Sequence, residues 1–120
     1  MILCNLRINR RQNRMANYVL LYSGGGMPET EAEQAAVLQE WTNWYNGLGA
    51  AVVDPGNPFT PQAKSISSDG MVSDSPIGGM ASGYTVIKAD SIDNAVSMAQ
   101  ACPILKSGGA ISVYETFSVV

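Results

Sequence analysis

The stretch that decides the fold reads Gly83-Tyr84-Thr85-Val86-Ile87-Lys88-Ala89-Asp90-Ser91-Ile92-Asp93-Asn94-Ala95-Val96. Its first residues are rich in β-branched and aromatic side chains, which predicts a strand. Ser91 then offers a hydroxyl to the free N–H groups of a helix start, and Asp93 suits the positive end of the helix dipole. The segment therefore predicts a strand that leads directly into a capped helix.

Apolar spacing predicts the buried face of this second helix. The predicted stripe consists of Ile92, Ala95, Val96, Ala99 and Cys102. Pro103 is expected to end the helix, because the residue before a proline is disfavoured in helical geometry. The turn residues 107–109 then predict a last strand at 110–117.

The N-terminal half shows the same order of sequence patterns, a strand followed by a capped helix. Residues 18–22 predict a strand, and the glycines that follow interrupt it. Thr30 and Glu33 have the spacing of a capping box, and Gly49 is a suitable helix end. The buried face of this first helix is predicted to bear Val37, Trp41, Trp44, Tyr45 and Leu48.

The centre of the chain predicts short strands at 50–54 and 63–67, with a hairpin turn at Asp69-Gly70 that brings residues 72–73 back. The whole order predicts an α+β fold of the ferredoxin-like βαββαβ type, a split βαβ arrangement with an added central hairpin. We expect an antiparallel sheet with two helices on one face. Since the strands are apolar on both sides, the other face needs a cover, which predicts a homodimer formed by packing sheet against sheet.

Composition narrows the class of protein. The chain has 120 residues, of which 46% are hydrophobic and 14% are charged, as expected for one globular domain. It contains no apolar run near the ~20 residues that span a bilayer, so we expect no membrane partner and a cytoplasmic location.

Charge is unevenly distributed. Four of the seven basic residues are arginines at positions 7–14, whereas three lysines and all ten acidic residues follow. An acidic body repels phosphate backbones, which argues against nucleic-acid binding. We expect residues 1–14 to be a disordered or non-native extension and residues 15–120 to be the domain, with a basic binding tail as the alternative.

The residue types exclude several chemistries. The chain has no histidine, which excludes His-dependent triads and His-ligated metal sites. Cys4 and Cys102 do not make a disulfide framework, and Cys102 is expected to be a buried small hydrophobe. The glycines at 24–26 lack the rest of a phosphate-binding motif. We predict no metal and no cofactor.

Five residues are candidates for a site. Asp54 and Asp74 follow strands near turns, where two carboxylates can share a proton or bind a cation, or can simply accept hydrogen bonds from turn N–H groups. Asn57, Ser75 and Tyr84 are predicted to line a pocket between the sheet and the central hairpin. Tyr84 offers a hydroxyl for proton transfer, although a strand tyrosine is also commonly packed.

The chain resembles the YCII-related family, in particular its DGPF-domain branch, over about residues 17–117. The segment at 83–95 carries most of the resemblance, together with residues 18–22, the tryptophan-bearing helix, Gly56-Asn57-Pro58-Phe59, Gly78-Gly79 and Cys102-Pro103. The motif that names the branch, Asp-Gly-Pro-Phe, is replaced here by Asp74-Ser75-Pro76-Ile77.

The resemblance implies a bacterial-type, cytoplasmic, dimeric α+β barrel. The histidine of the family's proposed His–Asp pair has no counterpart here. We therefore expect a small-molecule-binding dimer without His-dependent catalysis. One alternative is an enzyme that uses carboxylates or Tyr84 on a small aromatic or lactone compound, as an isomerase, lyase or oxygenase. Another is a regulatory domain associated with a sigma-factor system.

Overall fold

The structure is a computed structural model, and it describes residues 15–119. The extension predicted at 1–14 lies outside the described residues, as does Cys4. The elements are β1 at Ala16–Ser23, α1 at Glu31–Leu48, β2 at Val52–Asp54, β3 at Ser65–Ile66, β4 at Val72–Ser73, β5 at Gly83–Ala89, α2 at Ile92–Ala99 and β6 at Ala110–Glu115, with short 3-10 helices at Gly49–Ala51 and Pro103–Ser107.

Four strands form an antiparallel sheet in the order β2-β5-β1-β6. β1 is central, so that Val19 lies opposite Val86 on β5 and opposite Tyr114 on β6. β3 and β4 form a separate hairpin around the predicted Asp69-Gly70 turn. The predicted α+β class is confirmed, and the arrangement is compatible with a ferredoxin-like fold.

Both predicted helix starts are confirmed by their caps. The Thr30 hydroxyl oxygen accepts a hydrogen bond from the Glu33 N–H at 3.2 Å, and the Ser91 hydroxyl oxygen accepts one from the Asn94 N–H at 3.1 Å. Each bond satisfies an N–H group that has no partner within its helix. Gly49 ends α1 with a φ of 57°, as its position predicted.

The core lies between one face of the sheet and the two helices. Tyr18, Leu20 and Tyr22 alternate along β1 and are almost fully buried. Trp44 is the buried residue of α1, and its indole N–H donates to the Met98 carbonyl of α2 at 3.0 Å. This bond joins the two helices on the same side of the sheet.

The buried face of α2 differs from the prediction. Ala95 and Ala99 are buried, but Ile92 is 44% exposed and Val96 is 38% exposed. Because successive helical residues turn by about 100°, a helix that packs through Ala95 and Ala99 places Val96 at the side of the packed face. Ile92 is exposed because it is the first residue of α2. Cys102 is buried as predicted, but it lies beyond the helix in an extended conformation.

Three strands are shorter than predicted, and β3 at Ser65–Ile66 covers only two residues of the strand expected at 63–67. Residues 49–51 form a 3-10 turn, so β2 begins at Val52, and its pairing with β5 shifts register between Val52 and Asp54. β6 ends at Glu115 rather than at residue 117. Neither α-helix of the described chain has the length and hydropathy needed to cross a membrane.

The second face of the sheet carries no helix in the described part of the chain. Val19 and Leu21 point to this face and are only partly buried. Tyr114, which lies beside Val19, is 56% exposed. We call the surface formed by Val19, Leu21, Val86 and Tyr114 the open sheet face.

Candidate ligand-binding site

A cavity of about 410 Å³ lies between α1, the ends of β1 and β5, and the loop that follows β2. We call it the helix–sheet cavity. It is lined by Tyr22, residues 24–27, Val37, Leu38, Trp41, Tyr45, residues 55–58, residues 82–84, Ile104 and Ser107. The pocket was predicted between the sheet and the central hairpin, whereas this cavity lies beside α1.

The glycines after β1 form one side of the cavity. Gly24 and Gly25 have φ values of 68° and 73°, which side chains rarely tolerate. A Cβ on Gly25 would lie 3.0 Å from Ile104. Because Gly25 has no side chain, the chain can pass close to Ile104 as it turns from β1 towards α1.

Gly56 brings the loop after β2 against β5. Its φ is 71°, and a Cβ would lie 1.8 Å from the Tyr84 carbonyl oxygen. The loop continues along the strand edge, where the Tyr84 N–H donates to the Asn57 carbonyl at 3.3 Å and the Phe59 N–H donates to the Ser82 carbonyl at 2.9 Å. This close approach places Asn57 in the wall of the cavity.

Aromatic rings form the wall on the helix side. The ring of Trp41 meets that of Tyr22 edge to face at a centroid distance of 5.6 Å, and it lies 5.9 Å from the ring of Tyr45. Trp44 stands behind Trp41 at 5.8 Å and completes the cluster. The predicted apolar face of α1 therefore contributes to both the core and the cavity. Trp44 lies in the core, whereas Trp41 and Tyr45 line the cavity.

The tyrosine hydroxyls of the cavity are bonded to protein groups. The Tyr22 hydroxyl donates to the Thr85 hydroxyl at 2.6 Å, which donates to the Pro55 carbonyl at 3.0 Å. The Tyr45 hydroxyl donates to the same carbonyl at 3.1 Å. Burial raises the pKa of Tyr22 and that of Tyr45. Both hydroxyls therefore keep their protons near neutral pH.

Asp54 and Tyr84 form a pair at the edge of the sheet. The Tyr84 hydroxyl donates to one carboxylate oxygen of Asp54 at 3.3 Å, and the Gly56 N–H donates to the other at 2.9 Å. The negative charge of Asp54 raises the pKa of Tyr84. The bond to Gly56 agrees with the structural alternative for Asp54, a carboxylate that accepts from a turn N–H.

The remaining predicted residues lie elsewhere. Asp74 forms an exposed ion pair with Lys64 at 2.8 Å, at the hairpin. Ser75 donates its backbone N–H to the Ser73 hydroxyl at 3.3 Å. Neither Asp74 nor Ser75 lines the helix–sheet cavity, whereas Asn57 and Tyr84 do. Within residues 15–119, no cluster of three or more metal-ligating side chains is found.

Ser82 is one of the lining residues that the sequence did not single out, together with Met27, Leu38 and Ile104. The backbone N–H of Ser82 donates to the Tyr22 carbonyl at 2.7 Å. Its hydroxyl oxygen is buried and has no hydrogen-bond partner among the described residues. Its place in Ala81-Ser82-Gly83, a run of small residues before a strand, holds no signal that separates it from an ordinary loop serine.

Cys102 belongs to the core behind the cavity. Burial raises the pKa of its thiol, which opposes formation of the reactive thiolate. The prediction of a buried small hydrophobe is confirmed.

Fold and site together define a small α+β domain with an aromatic-walled cavity between a helix and a sheet. Compared with known proteins, the chain matches no family model and has no significant match to a curated protein.

Proposed function

We propose that the protein is a small-molecule-binding domain that acts as a homodimer and does not use histidine chemistry. The helix–sheet cavity is the observation that carries this proposal. Its volume of about 410 Å³ falls in the range of about 300–1,000 Å³ that is usual for small-molecule sites. Its walls are mainly apolar and aromatic with few polar groups, which is the usual composition of such a site.

Missing acid–base groups favour binding over catalysis in this cavity. The chain has no histidine, and the pKa values of Tyr22 and Tyr45 are raised by burial. Neither tyrosine is therefore suited to accept a proton at neutral pH.

A titration monitored by NMR tests this function. The indole N–H signal of Trp41 reports on the cavity, and the Trp44 signal is an internal control in the core. A mixed set of uncharged aromatic compounds, carboxylates and amines should contain compounds that shift the Trp41 signal saturably. If no compound in the set shifts it, the proposed function is wrong.

A matched pair of variants adds a second criterion. Gly26 lines the cavity and Gly47 lies on the exposed side of α1, and neither has a positive φ or an atom within 4 Å of an added Cβ. Gly26→Leu should weaken binding by narrowing the cavity, whereas Gly47→Leu should leave binding unchanged. Equal effects of the two variants would contradict a site in this cavity.

The open sheet face supports self-association as part of the proposal. Val19, Leu21 and Val86 present apolar surface there without a covering element in residues 15–119. A second copy that presents the same surface buries both faces at once, as a two-fold dimer requires. The YCII-related resemblance and the cytoplasmic location remain predictions from the sequence.

The Asp54–Tyr84 pair favours an enzyme as a second candidate. The raised pKa keeps the Tyr84 hydroxyl protonated, and in this role its single O–H would turn from Asp54 to donate to a small aromatic or lactone substrate. Asp54 would accept the O–H again when the substrate leaves. A compound found in the titration should then be converted, and Tyr84→Phe should abolish conversion while binding persists. An unchanged rate in Tyr84→Phe would exclude this role.

The regulatory alternative has no support in the described contacts. A pull-down from a cell extract, followed by identification of a bound sigma factor, would revive it.

A further inference from the structure

We propose that the helix–sheet cavity takes an uncharged compound with a carboxamide or lactam group, whose C=O and N–H pair with the side-chain amide of Asn57. This inference rests on the proposed function and names the class of ligand that the same cavity takes. Three observations support it: the fixed backbone of Asn57, the unused hydrogen-bonding capacity of its side chain and the absence of charge in the lining.

The backbone holds Asn57 at the cavity wall. Its carbonyl accepts a hydrogen bond from the Tyr84 N–H at 3.3 Å, and the preceding Gly56 lies directly against the Tyr84 carbonyl. The following Pro58 forms an antiparallel bridge with Gly83, and a proline restricts the residue before it to extended geometry. The side chain of Asn57 is therefore attached to a fixed part of the wall, so less entropy is lost when a ligand bonds to it.

The side chain of Asn57 has no local partner. An asparagine in a turn commonly accepts a hydrogen bond from the N–H two residues further on, as the carboxylate of Asp54 does at 2.9 Å. For Asn57 this group is the Phe59 N–H, which already donates to the Ser82 carbonyl at 2.9 Å. The intervening Pro58 has no N–H to offer. Asn57 is exposed, and its side chain makes no hydrogen bond to the described residues.

The hydroxyl groups of the lining are less suited to a ligand. Four of them donate their proton to protein groups, namely those of Tyr22, Tyr45, Tyr84 and Ser107. The hydroxyl oxygen of Ser82 is buried, so a ligand cannot reach it. The amide of Asn57 presents an NH₂ donor beside a carbonyl acceptor. This pair is complementary to the C=O and N–H of a primary amide or a lactam.

The lining also argues for an uncharged ligand with a flat apolar body. None of the side chains that the described residues contribute to the cavity carries a charge. A charged group beside Asn57 would lose its hydration without gaining a counter-ion. The rings of Tyr22, Trp41 and Tyr45 form the wall on the helix side, where they offer stacked or edge-to-face contacts to another ring.

Three probes of nearly equal shape separate these features. Benzamide offers both a C=O and an N–H, acetophenone has a methyl group in place of the NH₂, and benzoate is charged at neutral pH. Each is titrated into the intact chain at pH 7 with the Trp41 indole signal as the readout. Benzamide should bind more tightly than benzoate. Because benzamide and acetophenone differ in their own hydration, they are compared by how much a mutation changes each affinity.

Asn57→Leu tests the proposed pairing, because leucine is close to asparagine in size and forms no side-chain hydrogen bond. The variant should weaken benzamide binding by about 30-fold, the effect of two neutral hydrogen bonds, and acetophenone binding by about fivefold, the effect of one. Asn46→Leu should change neither, since Asn46 is exposed on α1 and lies outside the cavity. Asn57 has no positive φ, so Asn57→Leu should fold as the wild type does, with an unchanged Trp44 signal.

Each contrary outcome has its own meaning. Equal weakening of benzamide and acetophenone in Asn57→Leu, or no weakening of either, would overturn the pairing with Asn57. Binding of benzoate at least as tight as that of benzamide would overturn the uncharged class. If the mixed set contains binders but benzamide does not bind, the ligand class is wrong and the proposed function stands. If neither the three probes nor the mixed set shifts the Trp41 signal, the inference and the proposed function both fail.

Discussion

Single residues decide whether the cavity exists, and Gly56 is the clearest case. A side chain at this position meets the backbone of β5 and also needs a strained φ. The sequence shows a glycine between Pro55 and Asn57, which predicts a turn. That the turn is pressed against Tyr84 depends on the sheet, and no local pattern predicts it.

Gly56→Ala should therefore lower the free energy of unfolding by about 3 kcal/mol, because the loop must move away from β5. Gly47→Ala is the control, since its Cβ meets open space in α1. That variant should raise the free energy of unfolding by about 0.5–1 kcal/mol through helix propensity. Urea unfolding measures both. A loss of under about 1 kcal/mol in Gly56→Ala would contradict the close approach.

Tyr22 makes the free energy of unfolding depend on pH in the alkaline range. Burial raises its folded-state pKa above the value of about 10 expected in the unfolded chain. The folded protein therefore holds its proton more tightly than the unfolded chain does. The stability associated with this difference is fully present below pH 10 and is lost as the pH rises towards the folded-state value.

Tyr22→Phe should make this alkaline loss of stability less steep, and the loss that remains should come from Tyr45, Tyr84 and Cys102, whose pKa values are also raised. The variant also loses the hydrogen bond to Thr85, which should cost about 0.5–1.5 kcal/mol at neutral pH. Tyr114→Phe is the control, because Tyr114 is 56% exposed on β6. Urea midpoints measured between pH 8 and pH 11 provide the comparison. An equally steep decline in Tyr22→Phe and the wild type would assign the pH dependence to other groups.

Helices and strands show how far local patterns predict this fold. Caps at Thr30 and Ser91, the end at Gly49 and the hairpin at Asp69-Gly70 were predicted, because each depends on a few neighbouring residues. The exposed side of α2 was not predicted. It depends on which stripe packs on the sheet, and Ala95 and Ala99 allow closer contact than the larger Val96.

Thr30→Ala tests the cap of α1, the helix that carries the aromatic wall. Loss of the bond from the Glu33 N–H should lower the free energy of unfolding by about 0.5–2 kcal/mol. Thr42→Ala is the control inside the same helix, where the Thr42 hydroxyl only donates to the Leu38 carbonyl. That variant should be neutral or slightly stabilising, because alanine has the higher helix propensity. Equal destabilisation by both variants would contradict a specific cap.

At the scale of the whole molecule, the two faces of the sheet have different roles in this account. One face joins the helices and borders the cavity, while the open sheet face is available to a second copy. The alternation of β1 predicted both apolar faces. The helix–sheet cavity was not predicted, because it depends on long-range contacts among Tyr22, Trp41 and Gly56.

Val86→Lys should convert a dimer into a monomer by placing a charge in the middle of the open sheet face. Val96→Lys is the matched control on α2, where Val96 is 38% exposed. Light scattering after size exclusion should give twice the chain mass for the wild type and for Val96→Lys, and a single chain mass for Val86→Lys. A monomeric wild type would remove the dimer from the proposal.

A crystal structure of the protein grown with a compound that shifts the Trp41 indole signal saturably tests the central claim most directly. We expect ordered density for that compound beside Trp41, within the helix–sheet cavity. A cavity closed by movement of α1 towards β5, with no compound beside Trp41, would contradict the claim that this domain binds small molecules there.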